Sequence, residues 1–335
     1  LSVSIDGPAG EVQAVRDVSF SLKKGEVLAI VGESGCGKSV LCKSIMKLLP
    51  PSAKIKEGSI CVNGQDITCY REKEMQKLRG RVFSMIFQDS MTSLNPTMRV
   101  GRQMCEGILR HQRVSRQEAQ QISAELLGQV GLPNPELVAK RYPHTMSGGQ
   151  RQRVMIAMAM ACNPKILFAD EPTTALDVTM QAQILDLMNH LKEKRGTSIL
   201  LITHDLGVVA KMADRIAVMY AGKIVEYGDA RQVFYRPSHP YTWGLLGAMP
   251  NLIQDVKSEL YAIPGTPPDL YAPPKGCAFA ARCPYAMEAC LKEDPPEFAC
   301  GQGHGSRCWL LDPRAPDVTP PEGIPPLPKG GSDHV

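Results

Sequence analysis

Residues Gly32-Glu33-Ser34-Gly35-Cys36-Gly37-Lys38-Ser39 have the types and spacing to hold a nucleotide's phosphates. Glycines at this density let consecutive backbone N–H groups turn inward around an anion, and the N-terminus of a following helix adds partial positive charge. Lys38 then reaches the β- and γ-phosphates, and the Ser39 hydroxyl ligates Mg²⁺. The pattern is a Walker A loop lined by Gly32, Ser34, Gly35, Cys36 and Gly37, with Cys36 at its variable position. The adjacent carboxylates Asp170-Glu171 divide into a Mg²⁺-associated Asp170 and a water-orienting base, Glu171. Ser147-Gly148-Gly149-Gln150 reads as a capped helix start with two glycines, a second potential phosphate site. Two such helix ends exceed the needs of one nucleotide, unless the second serves a nucleotide held by a partner subunit.

These residues need a sheet edge to gather on. The apolar, partly β-branched run 27–31 is a buried parallel strand leading into the loop. The helix after it keeps a stripe of Leu41, Ile45 and Leu48 and ends at Pro50-Pro51. Upstream, residues 1–31 alternate like antiparallel strands with turns at Gly7-Pro8-Ala9-Gly10 and Lys24-Gly25. Phe20 falls in register with Val18 and Leu22, a strand core residue, so no aromatic is assigned to stack the adenine. Asn63-Gly64 marks a hairpin within residues 56–68. Residues 82–87 form a strand that delivers Gln88 to its C-terminal end, where ligands gather in open α/β sheets. From about residue 96 to 160 the pattern is helical, an inserted α subdomain, and the helix after Ser147 buries Val154, Ala157, Met158 and Ala161. Residues 166–169 are a strand ending in Asp170-Glu171, Asp177 caps a helix running to Arg195 with Gly196 beyond it, and residues 198–202 carry His204 to the same sheet edge.

The 335 residues suggest about two domains. A net charge of +4 with interspersed signs is too mild to argue for a nucleic-acid partner, and none is expected. The sequence begins at Leu1, without methionine, and no signal peptide is read. The longest apolar runs, such as residues 154–162, are about half of what a bilayer crossing requires, so membrane association is expected to be peripheral. Eleven cysteines in a chain of this length read as reduced thiols or metal ligands in the cytosol.

The order and spacing of residues 32–39, Gln88, 147–150, 166–171, Thr174-Ala175-Leu176-Asp177 and His204 resemble an ABC-type ATPase cassette over residues 1–235. The resemblance implies a RecA-like P-loop α/β domain with an antiparallel β subdomain and the inserted helices. It implies two cassettes packed head to tail, each ATP lying between one subunit's Walker A and the other's signature. Lys38 and Ser39 would hold phosphate and Mg²⁺, Gln88 would sense both, Asp170 would support Mg²⁺, and Glu171 would be the general base. His204 would contact the γ-phosphate, while Ser147, Gly149, Gln150 and Asp177 would work at the dimer interface. With one cassette and no internal repeat, the chain needs a second ATPase subunit.

Beyond about Gly228 the composition shifts and turns rich in proline and cysteine. Cys277, Cys283, Cys290, Cys300 and Cys308 lack any C-x-x-C pair; zinc-ribbon geometry is not favoured, and zinc, an iron–sulfur cluster or unligated thiols stay open. Residues 239–242, then Gly276-Cys277 and Arg282-Cys283-Pro284, resemble the C-terminal extension (residues 236–315) of dipeptide and oligopeptide importer ATPases. That likeness implies a four-iron–four-sulfur (4Fe-4S) cluster on Cys277, Cys283, Cys290 and a fourth cysteine, Cys308 or alternatively Cys300. Its serving as a brace or a redox sensor stays open. The resemblance also implies two transmembrane permease subunits, an extracytoplasmic peptide-binding protein and a place on the cytoplasmic face of the membrane. Met91, Met98 and Met104 are candidates for an adaptable docking surface or for ordinary core. Nickel or another small solute as cargo, or a soluble ATPase acting on nucleic acid or ribosomes, are the alternatives. Residues 316–335 read as an extended or disordered tail.

Overall fold

The computed structural model describes residues 1–8, 10–89, 93–174, 176–249, 263–322 and 324–328. Met91, Ala175 and the last residues of the tail therefore lie outside the described residues. Two compact units are present: residues 1–21, 28–61 and 204–335 form one, and residues 22–27 and 62–203 the other.

In the first unit a three-stranded antiparallel sheet has Ser2–Gly7 between Gly10–Val15 and Ala53–Glu57. The loop strand, Val27–Val31, is buried along its length, as expected of an apolar run without alternation. It pairs in parallel with Arg215–Tyr220, which continues antiparallel into Lys223–Asp229. His304–Ser306 and Phe298–Gly301 then extend this sheet, so the cysteine-bearing segment is built onto the sheet of the phosphate loop.

The strand expected through Phe20 is absent. Asp17 takes a left-handed backbone (φ 49°) that ends the alternation, and Phe20 is half-buried and outside any strand. The helix after the phosphate loop spans Lys38–Ile45 and stops early, because Lys47 is left-handed (φ 51°). Leu48 is consequently exposed, while Leu41 and Met46 are buried. Val318 and Leu327 pack against Cys308, Leu310 and Leu311, so the described part of the tail is anchored apolar surface without regular structure.

In the second unit three parallel strands run Phe83–Ile86, Ile166–Asp170, Ser198–Thr203, with the middle one almost wholly buried. The strand before Gln88 is shorter than expected, leaving Phe87 40% exposed at its end. Asn63 and Gly64 both take positive φ (51° and 78°), as a type I′ turn demands. Helices Val100–His111, Arg116–Gln129, Pro135–Ala139 and Gly148–Met160 form the expected α region, in which Met104 is core, 1% exposed, and Met98 is half-buried. Among the described residues no helix is long and apolar enough to cross a membrane.

Candidate nucleotide site

The phosphate loop owes its path to glycines that no other residue can replace. Gly32 has φ 154°, and a Cβ there would lie 2.1 Å from the Met219 carbonyl oxygen. Gly37 has φ 104°, and its Cβ would lie 2.1 Å from the Ala14 carbonyl oxygen. Gly35 is also left-handed, at φ 81°, with open space around it, while Ser34 and Gly35 are exposed. Lys38, 5% exposed, donates from Nζ to the carbonyls of Gly32 (2.7 Å) and Glu33 (2.8 Å) and lies 3.6 Å from Cys36 Sγ. Ser39 is half-buried beside it on the first helical turn. Burial pushes the Cys36 thiol pKa up, against the lowering effect of Lys38. His204 is exposed one residue beyond Ser198–Thr203.

The loop is braced from the C-terminal extension. Arg282 forms a bidentate ion pair with Glu33, and the Glu33 N–H donates to the Tyr241 hydroxyl at 2.8 Å. Tyr220, Tyr241 and Phe279 pack as an aromatic cluster with ring centroids 4.6–5.4 Å apart. Sequence reasoning missed this brace: the 239–242 element and Arg282 were visible only as a resemblance, with no local spacing linking them to Glu33. Glu226, fully buried, accepts N–H bonds from Ser238 and His239 and a bond from His304 Nε2 at 2.9 Å.

In the second unit Asp170 is 3% exposed at its strand's end, and Glu171 follows in a left-handed conformation, φ 47°. Gln88 Nε2 and Thr174 Oγ1 both donate to Glu171 Oε2, at 3.0 and 2.9 Å. Gln88 and Glu171, assigned separately from sequence, are thus brought together. Thr174 carries no role in the sequence motif; its place three residues after Glu171 is the available signal. Ser147 and Gln150 form a reciprocal capping box, with Ser147 exposed and Gly149 packed beneath Met180. Asp177 Oδ1 caps the helix Val178–Arg195 through Met180 N–H (2.9 Å), and Gly196 closes it at φ 65°.

The cysteine expectation needs correction. Among the described residues no group of three or more His, Cys, Asp and Glu side chains converges as a metal-ligand set. None of the eleven cysteines forms a disulfide. Burial is the leading reason that the thiols of Cys277 (about 11) and Cys283 (about 12) titrate high and that the Cys308 thiol is pushed well above its usual value, so the protonated forms are favoured. Cys277, Cys283 and Cys290 all contribute to raising the Cys308 thiol, whereas the Cys300 thiol responds to Ser238 and Glu226 instead.

Residues 15–174 match the family model for the ABC transporter, and residues 225–290 match the oligopeptide/dipeptide transporter C-terminal region. The chain is 57% identical over 325 residues to the oligopeptide transport ATP-binding protein OppD of Bacillus subtilis, covering 97% of this chain and 91% of that one. It is 54% identical to the dipeptide transport ATP-binding protein DppD of Lactococcus lactis, over 97% of this chain and 93% of that one. Among solved structures, the dimeric bacterial ABC transporter cassette MJ0796 superposes with TM-score 0.62 at 28% identity, covering 69% of this chain and 97% of the cassette; a second structure of it is a post-hydrolysis state bound to ADP and Pi, with the same TM-score, identity and coverage. The chain belongs to the ABC transporter family, among the ATP-hydrolysing, ATP-binding subunits of its oligopeptide and dipeptide transporters.

Proposed function

We propose that the chain energises uptake of dipeptides or oligopeptides, working head to tail with a second ABC ATPase subunit beneath two transmembrane permeases. In this reading it is held peripherally at the cytoplasmic face and receives cargo through an extracytoplasmic peptide-binding protein. The observation that carries the reading is the near-complete match to peptide-transport ATPases, which continues through the C-terminal extension.

The bound substrate is MgATP. Lys38, the loop amides from Gly32 to Gly37, and Ser39 bind its phosphates and metal; Asp170 supports the metal. Glu171 takes the proton of the attacking water, with Gln88 and Thr174 fixing which carboxylate oxygen faces it. His204 contacts the γ-phosphate. Ser147, Gly149 and Gln150 act on the nucleotide of the partner subunit, and Asp177 lies at that dimer interface. We place the domain limits at residues 1–235, with the helical insertion at 96–160, then 236–315 and a tail at 316–335.

For the extension, the proposed ligand set for a 4Fe-4S cluster is Cys277, Cys283, Cys290 and Cys308. Support comes from their soft sulfur donors and from the Cys277 N–H, which donates to the Cys290 carbonyl at 2.8 Å, whereas Cys300 Sγ turns to the Phe298 carbonyl. The thiols would need to deprotonate and draw together to hold it.

The deciding experiment isolates the intact membrane complex and measures its ATPase rate with peptide, with Ni²⁺ and with RNA. Stimulation by peptide through the binding protein is expected. Stimulation by Ni²⁺ alone, or salt-sensitive RNA binding without permeases, would replace this reading by one of the alternatives.

A further inference from the structure

We propose that Tyr271, from the C-terminal extension, is the platform on which the adenine of ATP stacks. The inference rests on the ATPase reading above and supplies a residue for its base.

Before Gly32 the only aromatic residue in the chain is Phe20, which is half-buried and outside any strand. The N-terminal hairpin itself therefore carries no ring to meet a base. Its tip is instead shaped to receive one. Gly7 and Gly10 pair across the two strands. A Cβ on Gly7 would lie 3.1 Å from Tyr271 Oη and 3.8 Å from Cε1, and one on Gly10 would lie 3.7 Å from Cδ1. The ring thus rests on two glycines, in space that side chains would otherwise fill, while 41% of the residue stays exposed.

The backbone on both sides of the ring is fixed. Gln13 N–H donates to the Leu270 carbonyl at 2.9 Å, and Tyr271 N–H donates to Asp269 Oδ1 at 2.9 Å. Gln13 also ties this platform to the phosphate loop, because the next carbonyl, that of Ala14, is the one against which Gly37 packs. One strand therefore carries the ring near its start and abuts the loop near its end. Gly10 and Ala14 are four residues apart, about 13 Å at strand rise. That span is comparable to the reach from the phosphates of an extended nucleotide to its base.

An exposed ring offers a base a π-face at the cost of little ordering, since its backbone is already pinned. Such stacking changes affinity by about ten- to a hundred-fold per base when the ring is removed. It acts on the base alone, which separates it from every phosphate contact in the loop.

The test compares equilibrium binding of MgATP and of magnesium tripolyphosphate, which has no base, to the full chain and to its Tyr271→Ala, Tyr271→Phe and Tyr271→Trp variants. Tyr271→Ala is expected to weaken MgATP binding at least about tenfold and leave tripolyphosphate binding unchanged. Tyr271→Phe should restore MgATP binding, and the fluorescence of Tyr271→Trp should respond to MgATP but not to tripolyphosphate. Unchanged MgATP affinity in Tyr271→Ala, or equal weakening of both probes, would overturn the platform and leave the ATPase reading standing. Failure of the unaltered chain to bind MgATP would overturn the ATPase reading and this inference together.

Discussion

Arg282 grips Glu33 with both terminal guanidinium nitrogens, Nη1 to Oε2 at 2.6 Å and Nη2 to Oε1 at 2.9 Å, and so joins the residue preceding Cys283 to the second residue of the phosphate loop. The Arg282 side chain is 5% exposed and Glu33 27%, so the pair is largely withdrawn from water. Its planar fork also stacks toward Tyr220 and Phe279, 5.8 and 6.0 Å from their ring centroids.

Removing the guanidinium leaves Glu33 without its main partner. Because Glu33 keeps some solvent, Arg282→Ala is expected to cost about 1–3 kcal/mol of stability, below the full penalty for breaking a buried pair. It should also weaken MgATP binding several-fold by loosening the loop. Arg282→Lys should recover only part of either, since an ammonium cannot make the bidentate contact. Thermal unfolding and MgATP titration of the three proteins check this; a lysine variant equal to the unaltered protein would show that charge alone matters.

Glu171→Gln should retain MgATP binding and lose at least about 10²-fold in turnover, the usual contribution of a general base. Gln88→Ala removes a donor to Glu171 Oε2 while Thr174 still donates to it, so a smaller fall in kcat with little change in KM is expected. Turnover near normal in Glu171→Gln would remove the base from Glu171.

How much of this site could be read in the sequence depended on the range of the interactions. The glycine pattern of residues 32–39, the Ser147 and Asp177 caps, and the strand bearing Asp170 are local, and each was legible from a few neighbouring residues. Leu48 and Phe20 misled because single left-handed residues, Lys47 and Asp17, broke periods that composition alone would continue. The Arg282–Glu33 pair spans 249 positions, and Tyr271 reaches a hairpin more than 250 residues upstream; no periodicity encodes either. The cysteine spacing carried chemistry but not geometry.

Iron content should follow the thiols that influence one another. Complex prepared anaerobically from Cys277→Ser or Cys308→Ser chains is expected to lose its iron, whereas Cys300→Ser should keep it, because Cys300 instead donates to the Phe298 carbonyl at 3.7 Å. Iron and acid-labile sulfide assays measure it. Loss on Cys300→Ser with retention on Cys308→Ser would exchange the two assignments, and no iron in the unaltered complex would end the cluster reading.

Cys36 tempts one to expect a reactive thiol among phosphate-facing amides, guarded by ATP. The structure argues otherwise, since the side chain is 5% exposed and burial outweighs Lys38 in setting its pKa. Cys61 and Cys69 are exposed. A maleimide should therefore label Cys61 and Cys69 well before Cys36 in the nucleotide-free chain, as peptide mass spectrometry would resolve. Fast, ATP-protected labelling of Cys36 would instead show it to be a reactive thiol of the loop.

Acid should loosen the join between extension and sheet through His239. Burial pushes its pKa from 6.5 down to about 3, while Nδ1 accepts the Tyr241 N–H at 3.0 Å as a helix cap. Between those two values the unfolded chain binds the proton and the folded chain does not, so stability rises with pH there. The contribution is complete above about pH 6.5 and is lost as pH falls toward 3, by at most about 1.4 kcal/mol per pH unit. His239→Asn keeps a capping acceptor without titrating in this range. Glu226 and His304, the neighbours on the same network, remain in that variant, so its difference from the unaltered chain isolates His239. The urea midpoint should fall more steeply from pH 7 to pH 5 in the unaltered chain than in His239→Asn. Parallel falls in both would assign the acid sensitivity to other groups.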